Sequence, residues 1–276
     1  MRLAIRHETR YEFDEPVGHG LQRLRLTPKE THGQRIIDWA MSCEGGAIEL
    51  TYEDQNCNTV TLASLQPGTR AFTVRCEGLV ETTDHAGVIG RHAGHMPLWA
   101  FQGQTPLTKP GQKMRAILSA AGLSGANLSQ GDILPGLHAL STAVVGNVAY
   151  EIGHTHVATT AEEAAEAGHG VCQDHAQIFI GLARLLGIPA RYASGYLMLD
   201  GRIDQEATHA WAEAFVEGLG WVGFDVSNGI SPDARYIRVA SGRDYREAAP
   251  VTGMTYGSAE QSVRVEIQVE QQVVEQ

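Results

Sequence analysis

The chain of 276 residues is poor in several things, and each shortage narrows what it can be. Charged residues make up 19% and aromatics 7%. Lys and Arg number 21 against 32 Asp and Glu, which leaves a net charge of −11, and the basic residues nowhere cluster. The electrostatic footprint of a phosphate-backbone binder is therefore missing, so nucleic acid is not an expected partner. Cysteines are four, Cys43, Cys57, Cys76 and Cys172, with no CxxC pair among them. A chain this long can bury about 75% of the surface its unfolded form exposes, so it needs no disulfide framework to hold a core. No run reaches the about 18 uninterrupted apolar residues of a membrane span, and Ile178 to Ala190, the nearest, is interrupted by Arg184. The N-terminus, Met1-Arg2-Leu3-Ala4-Ile5-Arg6-His7-Glu8, meets charge before an apolar run can build, unlike a secretory leader. A soluble cytoplasmic protein with no membrane partner is expected.

What is present falls into two patterns. Up to about residue 95, short runs alternate apolar and polar residues with period two, as in Arg2 to Arg6, Leu21 to Leu26, Ala47 to Tyr52, Thr59 to Leu62 and Ala71 to Arg75. Breaks at Glu44-Gly45-Gly46 and Pro67-Gly68 separate them, and an antiparallel β unit with one wet face follows. Between His95 and Lys113 the periodicity fades and Pro97, Pro106, Pro110 and Gly111 accumulate, which places a boundary near residue 100. The expected organisation is a β-rich domain over 1–100 and a second domain over 101–276.

Helical signals dominate the second part. Ile133, Leu134, Leu137, Leu140 and Val144 mark one face of a helix running toward Tyr150. Thr160-Ala161-Glu162-Glu163 has the form of a capping box, with a stop expected at Gly168. A longer helix is expected from Cys172 to Leu186, with Ala176, Phe179, Ile180, Ala183 and Leu186 buried and Gly187 and Pro189 ending it. Strands then follow over Ala190 to Leu199, Thr208 to Val216 and Trp221 to Val226, and Ser262 to Val269 alternates as a closing strand.

Three segments carry the chemistry: Gly168-His169-Gly170-Val171-Cys172-Gln173-Asp174-His175-Ala176, Thr208-His209-Ala210-Trp211, and Gly220-Trp221-Val222-Gly223-Phe224-Asp225. A glycine-flanked loop delivers Cys172 to the first turn of a helix, where unpaired amides and the macrodipole favour a thiolate. Those amides are also ready donors for a tetrahedral oxyanion, and Gly170 lets a substrate carbonyl come close. An attacking thiolate wants an imidazole partner that later protonates the leaving amine, and His209 is best placed among twelve histidines. On a strand it shares a face with Trp211, Glu213 and Phe215. Gly218-Leu219-Gly220 reads as a hairpin turn, which brings Asp225 of the next strand beside His209 to fix its tautomer.

Beside these readings stand plainer ones. Cys43, Cys57 and Cys76 read as small buried hydrophobes, Trp211 and Trp221 as pocket-wall aromatics, and Arg191 as the partner of a nearby carboxylate. Asp174 either supports the nucleophile loop or complements the helix dipole. His85 and His169 read as solvated loop residues, and Glu162 to Glu166 as a solvated helix face. His92 with His95, and His154 with His156, lack the rest of a closed zinc set, so no metal is expected. No acidic loop of EF-hand type is present, so calcium dependence is not expected either.

The stretch Gly170 to Asp174 with Ala176, followed by Leu186-Gly187-Ile188-Pro189-Ala190-Arg191-Tyr192, Ser194-Gly195-Tyr196, His209-Ala210-Trp211 and Trp221 to Asp225, resembles the bacterial transglutaminase-like superfamily. Its members are often described as cysteine proteases with a papain-like core. Tyr11, Pro16, His19 and Leu21 to Leu26 are similar to the β-rich N-terminal domain that accompanies that core. The resemblance implies an α+β protein: an antiparallel β domain, then a papain-like core with the Cys helix packed on an antiparallel sheet. It puts the family's nucleophile on Cys172, its base on His209 and its orienting carboxylate on Asp225, and calls for no cofactor. The expected activity is thiol-dependent acyl transfer on a peptide or protein amide, ending in hydrolysis; transfer to an amine, or peptide binding without chemistry, are the alternatives. Two departures stand out. His175 occupies a position where a bulky apolar residue is expected, and no Trp or Gln upstream of Cys172 matches the side-chain oxyanion donor of relatives.

Overall fold

The computed structural model describes residues 1–123, 132–257 and 260–272. It is built in layers. The outermost sheet holds the strands Val251–Tyr256, His19–Leu24, Thr59–Leu65 and Gly46–Glu53 in that order, all antiparallel. Beneath it lies a sheet of Asp204–Gln205, Gln261–Gln271, Arg2–Val17, Thr69–Thr82 and Gln34–Glu44. Tyr11, Phe13, Val17, Leu24, Leu65, Phe72 and Val74 fill the space between these two sheets. The period-two alternation of the first strand buries Leu3, Ile5, His7, Thr9, Tyr11 and Phe13 on one face, Tyr11 and Phe13 toward this interior and Leu3 and Ile5 toward the third sheet.

The third sheet runs Tyr236–Gly242, Ala190–Leu197, His209–Val216, Gly220–Phe224 and Val88–Gly90. Its strand Ala190–Leu197 is buried along its full length, because both faces are covered. On one side Tyr196, Ile237 and Val239 pack against Leu3, Ile5, Val80, Ile267 and Val269 of the N-terminal sheet. On the other, Ala210, Ala212, Ala214 and Val216 meet the helix Cys172–Leu185 through Ala176, Phe179, Ile180 and Ala183. Alanines at every second position of His209–Val216 let this helix sit close on the sheet. The helices Gln112–Ala120, Ile133–Asn147 and Ala161–Ala167 surround it.

Local signals mapped closely onto this architecture. Thr160 Oγ1 accepts from Glu163 N–H at 3.3 Å and the Glu163 carboxylate accepts from Thr160 N–H at 2.8 Å, completing the capping box, and Gly168 ends the helix in a left-handed conformation, φ +75°. The Cys helix spans Cys172–Leu185, with Gly187 (φ +83°) beyond it.

The division drawn near residue 100 follows the chain rather than space. Val88–Gly90 is an edge strand of the third sheet, while Val251–Tyr256 and Gln261–Gln271 pair with His19–Leu24 and Arg2–Val17. The two halves exchange strands because the first strand pairs on one side with Thr69–Thr82 of its own half and on the other with Gln261–Gln271. Glu162 also departs from expectation. Instead of facing solvent it accepts from the amides of Gly111 (2.8 Å), Lys113 (2.6 Å) and Met114 (3.1 Å), capping a helix that carries no acid of its own in its first turn. Gly111 is what permits the approach, since a Cβ there would lie 2.5 Å from the Glu162 carboxyl carbon.

Candidate active site

Cys172 opens its helix, with Val171 in extended conformation before it. Its N–H is thus among the four amides that the first turn leaves without a partner inside the helix. The loop is held from beneath by Asp174, whose Oδ2 accepts from Val171 N–H at 2.8 Å and from the Thr155 hydroxyl at 2.7 Å. Of the two readings open for Asp174, support of the nucleophile loop is the one the hydrogen bonds favour. Gly170 is required by the same contact: a Cβ there would stand 2.7 Å from Asp174 Cβ.

The hairpin brings His209 and Asp225 together. Its ladder pairs Ala212 with Phe224 and Val216 with Gly220, and the His209 Nε2 to Asp225 Oδ2 distance is 2.6 Å. With Nε2 engaged, Nδ1 is the nitrogen left for Cys172, which lies close enough to raise the pKa of the ring. All three sequence-predicted residues therefore converge. Burial works against charge on the His209 ring, but the bonds to Asp225 and Cys172 and their negative charge outweigh it and lift its pKa to about 10. Asp225 is fully buried; burial alone would raise its pKa, yet His209, Tyr236 and Asn228 hold it below the usual carboxylate value. Both shifts favour the charged forms of the pair.

Several contributors escaped the sequence reading. Asp225 Oδ2 accepts from the Tyr236 hydroxyl at 2.6 Å and from Asn228 Nδ2 at 2.7 Å, while Asp225 Oδ1 accepts from Asn228 N–H at 3.2 Å. Asn228, three residues past an Asp in a Gly-containing turn, had a local signal. Tyr236 had none, because it arrives through the pairing of Leu197 with Tyr236 on the neighbouring strand. Tyr150 stands at the rim, half exposed, its short strand paired in parallel so that Tyr150 lies opposite Gly170. Burial, then the charges of Cys172 and Asp225, raise its hydroxyl pKa.

His175, one turn beyond Cys172, is buried and polar, as the sequence departure implied. Its Nε2 must donate to the Val148 carbonyl (3.0 Å), so Nδ1 accepts from the Ser227 hydroxyl (2.8 Å), and burial lowers its pKa. The ring is a neutral strut between helix and turn. Arg191 pairs with Glu213 at 2.5 Å and lies 3.9 Å over the Trp221 ring, while Arg238 grips the same carboxylate at 2.6 and 2.9 Å. Burial would raise the Glu213 pKa, but the two guanidiniums bring it down to about 2. The three side chains form a buried ion-pair cluster centred on the strand that carries His209.

Two plainer readings need correction, and a third gains detail. Only Cys76 of the three N-terminal cysteines is buried; Cys43, on the edge strand Gln34–Glu44, and Cys57, in the turn between Gly46–Glu53 and Thr59–Leu65, are partly exposed. His169 is no solvated loop residue: it pairs with Ala149 and its Nδ1 is shut off from solvent. His92 is a structural bridge, receiving Trp221 Nε1–H at 3.1 Å and donating to Met96 O at 2.6 Å, so it is not free to pair with His95 on a metal.

Comparison with known proteins gives the arrangement its family. Residues 127–226 match the model of the transglutaminase-like superfamily, and residues 3–81 match that of the bacterial transglutaminase-like N-terminal region. The uncharacterised protein Rv2569c of Mycobacterium tuberculosis is 27% identical over 284 residues, covering 95% of this chain and 90% of its own. The uncharacterised protein ML0607 of Mycobacterium leprae is 26% identical, covering 97% of this chain and 98% of its own. Among solved structures, a protein of Cytophaga hutchinsonii described as a putative cysteine protease superposes with a TM-score of 0.75 over 100% of this chain and 92% of its own, at 21% identity, a likeness of fold. Both halves of the molecule carry the family's marks in the family's order, and the chain belongs to the bacterial transglutaminase-like superfamily, an α+β fold of cysteine-dependent hydrolases and acyltransferases.

Proposed function

We propose that the protein hydrolyses an amide bond of a peptide or protein through an acyl-thioester on Cys172. Membership of a cysteine-dependent family supports the class of chemistry, and the observation that carries the specific reading is the 2.6 Å bond between His209 Nε2 and Asp225 Oδ2, with Nδ1 left to the thiol. Cys172 Sγ, as thiolate, attacks the substrate carbonyl, and the tetrahedral oxyanion is received by the free amide of Cys172 at the start of the helix. His209, as imidazolium, gives its Nδ1 proton to the departing amine, and the carbon–nitrogen bond breaks. The neutral ring then takes a proton from water attacking the thioester and keeps it as the tetrahedral adduct expels sulfur as thiolate and releases the acid product, which restores the starting ion pair. Asp225 keeps the ring in its tautomer throughout and stays ionised.

Incubation of the protein with a glutamine-containing peptide library, with and without a primary amine, decides which acceptor resolves the thioester. Chain scission or loss of an amide nitrogen, absent in Cys172→Ala, is the expected result. Incorporation of the amine would instead make it a transglutaminase. Unchanged masses in every arm would contradict the proposal and leave a peptide-binding module.

A further inference from the structure

A cluster unrelated to the triad lies on the far side of the nucleophile loop. Ala149 and Tyr150 pair in parallel with His169 and Gly170, and Glu151 N–H extends the pairing to Gly170 O at 2.9 Å. Glu151 therefore emerges beside His169. The chain turns back at Gly153, in the left-handed region at φ +89°, and this returns His154 over Glu151, with Nε2 3.5 Å from Oε2. The His154 and His169 ring centroids are 4.5 Å apart. One ligand atom from each of Glu151, His154 and His169 lies within 4.8 Å of the others. A tetrahedral ion with bonds of about 2.1 Å sets its ligand atoms about 3.4 Å apart, so small side-chain rotations close the gap.

The donor chemistry is selective. Two imidazoles and one carboxylate are the ligand set of an open zinc centre, whereas calcium and magnesium ask for shells of oxygen. A second, independent feature points to a ligand: His169 Nδ1 is inaccessible to water and has no hydrogen-bond partner. Coordination through that nitrogen would give it the partner it lacks. The other group with suitable spacing, Glu53, Cys57 and His95, contributes none of the buried atoms left without a partner. Sequence spacing concealed the first cluster, since His169 stands fifteen residues from His154 and only the parallel pairing unites them.

We propose that Glu151, His154 and His169 bind one divalent transition-metal ion of the zinc class, leaving a fourth position for water. Thr155 follows His154 directly and bonds to Asp174, the residue that holds Val171 N–H, so the ion pins the loop over residues 151–155 to the nucleophile loop from outside. The proposal does not depend on the amide chemistry, and its test removes that site. Full-length protein carrying Cys57→Ser and Cys172→Ser, so that neither thiol can capture metal, is titrated with Zn²⁺ against a chromophoric chelator and melted with and without the ion. One bound ion per chain and a rise in melting temperature are expected, with affinity falling about tenfold or more in His154→Ala and in His169→Ala. His154 and Glu151 are exposed, so His154→Ala and Glu151→Gln should melt like the parent when metal is absent. If the parent binds no Zn²⁺, or His154→Ala binds it within about twofold of the parent, the site does not exist.

Discussion

Asp225 is the most heavily anchored side chain of the site: one oxygen accepts from His209, Tyr236 and Asn228 together. Its loss should therefore disturb the ring more than the fold around it. Asp225→Asn is expected to lower amide turnover by about 10²–10⁴-fold, as removal of a group acting through the base does, while Tyr236→Phe, which deletes one of several donors, costs less than about tenfold. The contrast is read in kcat, with melting curves as the control for folding. The three triad positions were legible because each sits at a place where local pattern is strong: a helix start after Gly, the first residue of an alternating strand, the end of a hairpin. Tyr236 and Tyr150 were not, because strand pairings between distant segments bring them in. His175 was read as a departure, and its neutral bridge between Val148 and Ser227 explains how a polar ring is accommodated there.

His7 belongs to the same order of detail but acts between layers. It is buried, with one ring nitrogen 2.8 Å from the Tyr196 hydroxyl and the other 2.8 Å from Thr9 Oγ1, and burial lowers its pKa from 6.5 to about 4. The folded state thus refuses a proton that the unfolded chain accepts. Stability from this group is complete above pH 6.5 and is lost as pH falls toward 4, by about 3 kcal/mol at most. Urea midpoints across that window should show this acid loss, and His7→Gln should flatten it; an unchanged slope would contradict the buried neutral ring.

Among elements, the helix Gln112–Ala120 depends on a cap supplied from another helix. Glu162 accepts three of its first amides, and the helix offers no acid of its own. Glu162→Gln is expected to destabilise by about 1 kcal/mol, or about 2–4 °C in melting temperature, whereas the same change at the exposed Glu166 should leave melting within error. Sequence reading found the helix bearing Glu162 and its own capping box, but a charge on a helix surface looks solvated until the neighbouring helix is placed. The Cys helix itself was legible to within a residue, since its buried face and its stop at Gly187 are local properties.

For the whole molecule, the consequential feature is the return of the chain to its beginning. Gln261–Gln271 pairs with Arg2–Val17 over eleven residues, Leu3 with Gln271 to Phe13 with Gln261, and Ile267 and Val269 are buried in that contact. The N-terminal half is therefore incomplete without the C-terminal strands. A chain ending at residue 250 should lose cooperative unfolding or fail to stay soluble, because the edge of the first strand and its apolar face are left open. Retention of the parent melting transition by that truncated chain would show the two halves to be separate. The closing strand was visible as an alternation, but its partner was not: period-two pattern fixes which face is buried and is silent on which strand lies alongside.

These layers serve to hold one thiol, one imidazole and one carboxylate in contact, and the most direct measurement is the rate at which iodoacetamide alkylates Cys172 at pH 6. With the imidazolium of His209 beside it, Cys172 should react much faster than a thiol in an unstructured peptide, and His209→Ala should abolish the difference while the melting curve is kept. Labelling of the unaltered protein at the rate of the peptide thiol would contradict an activated nucleophile at this site.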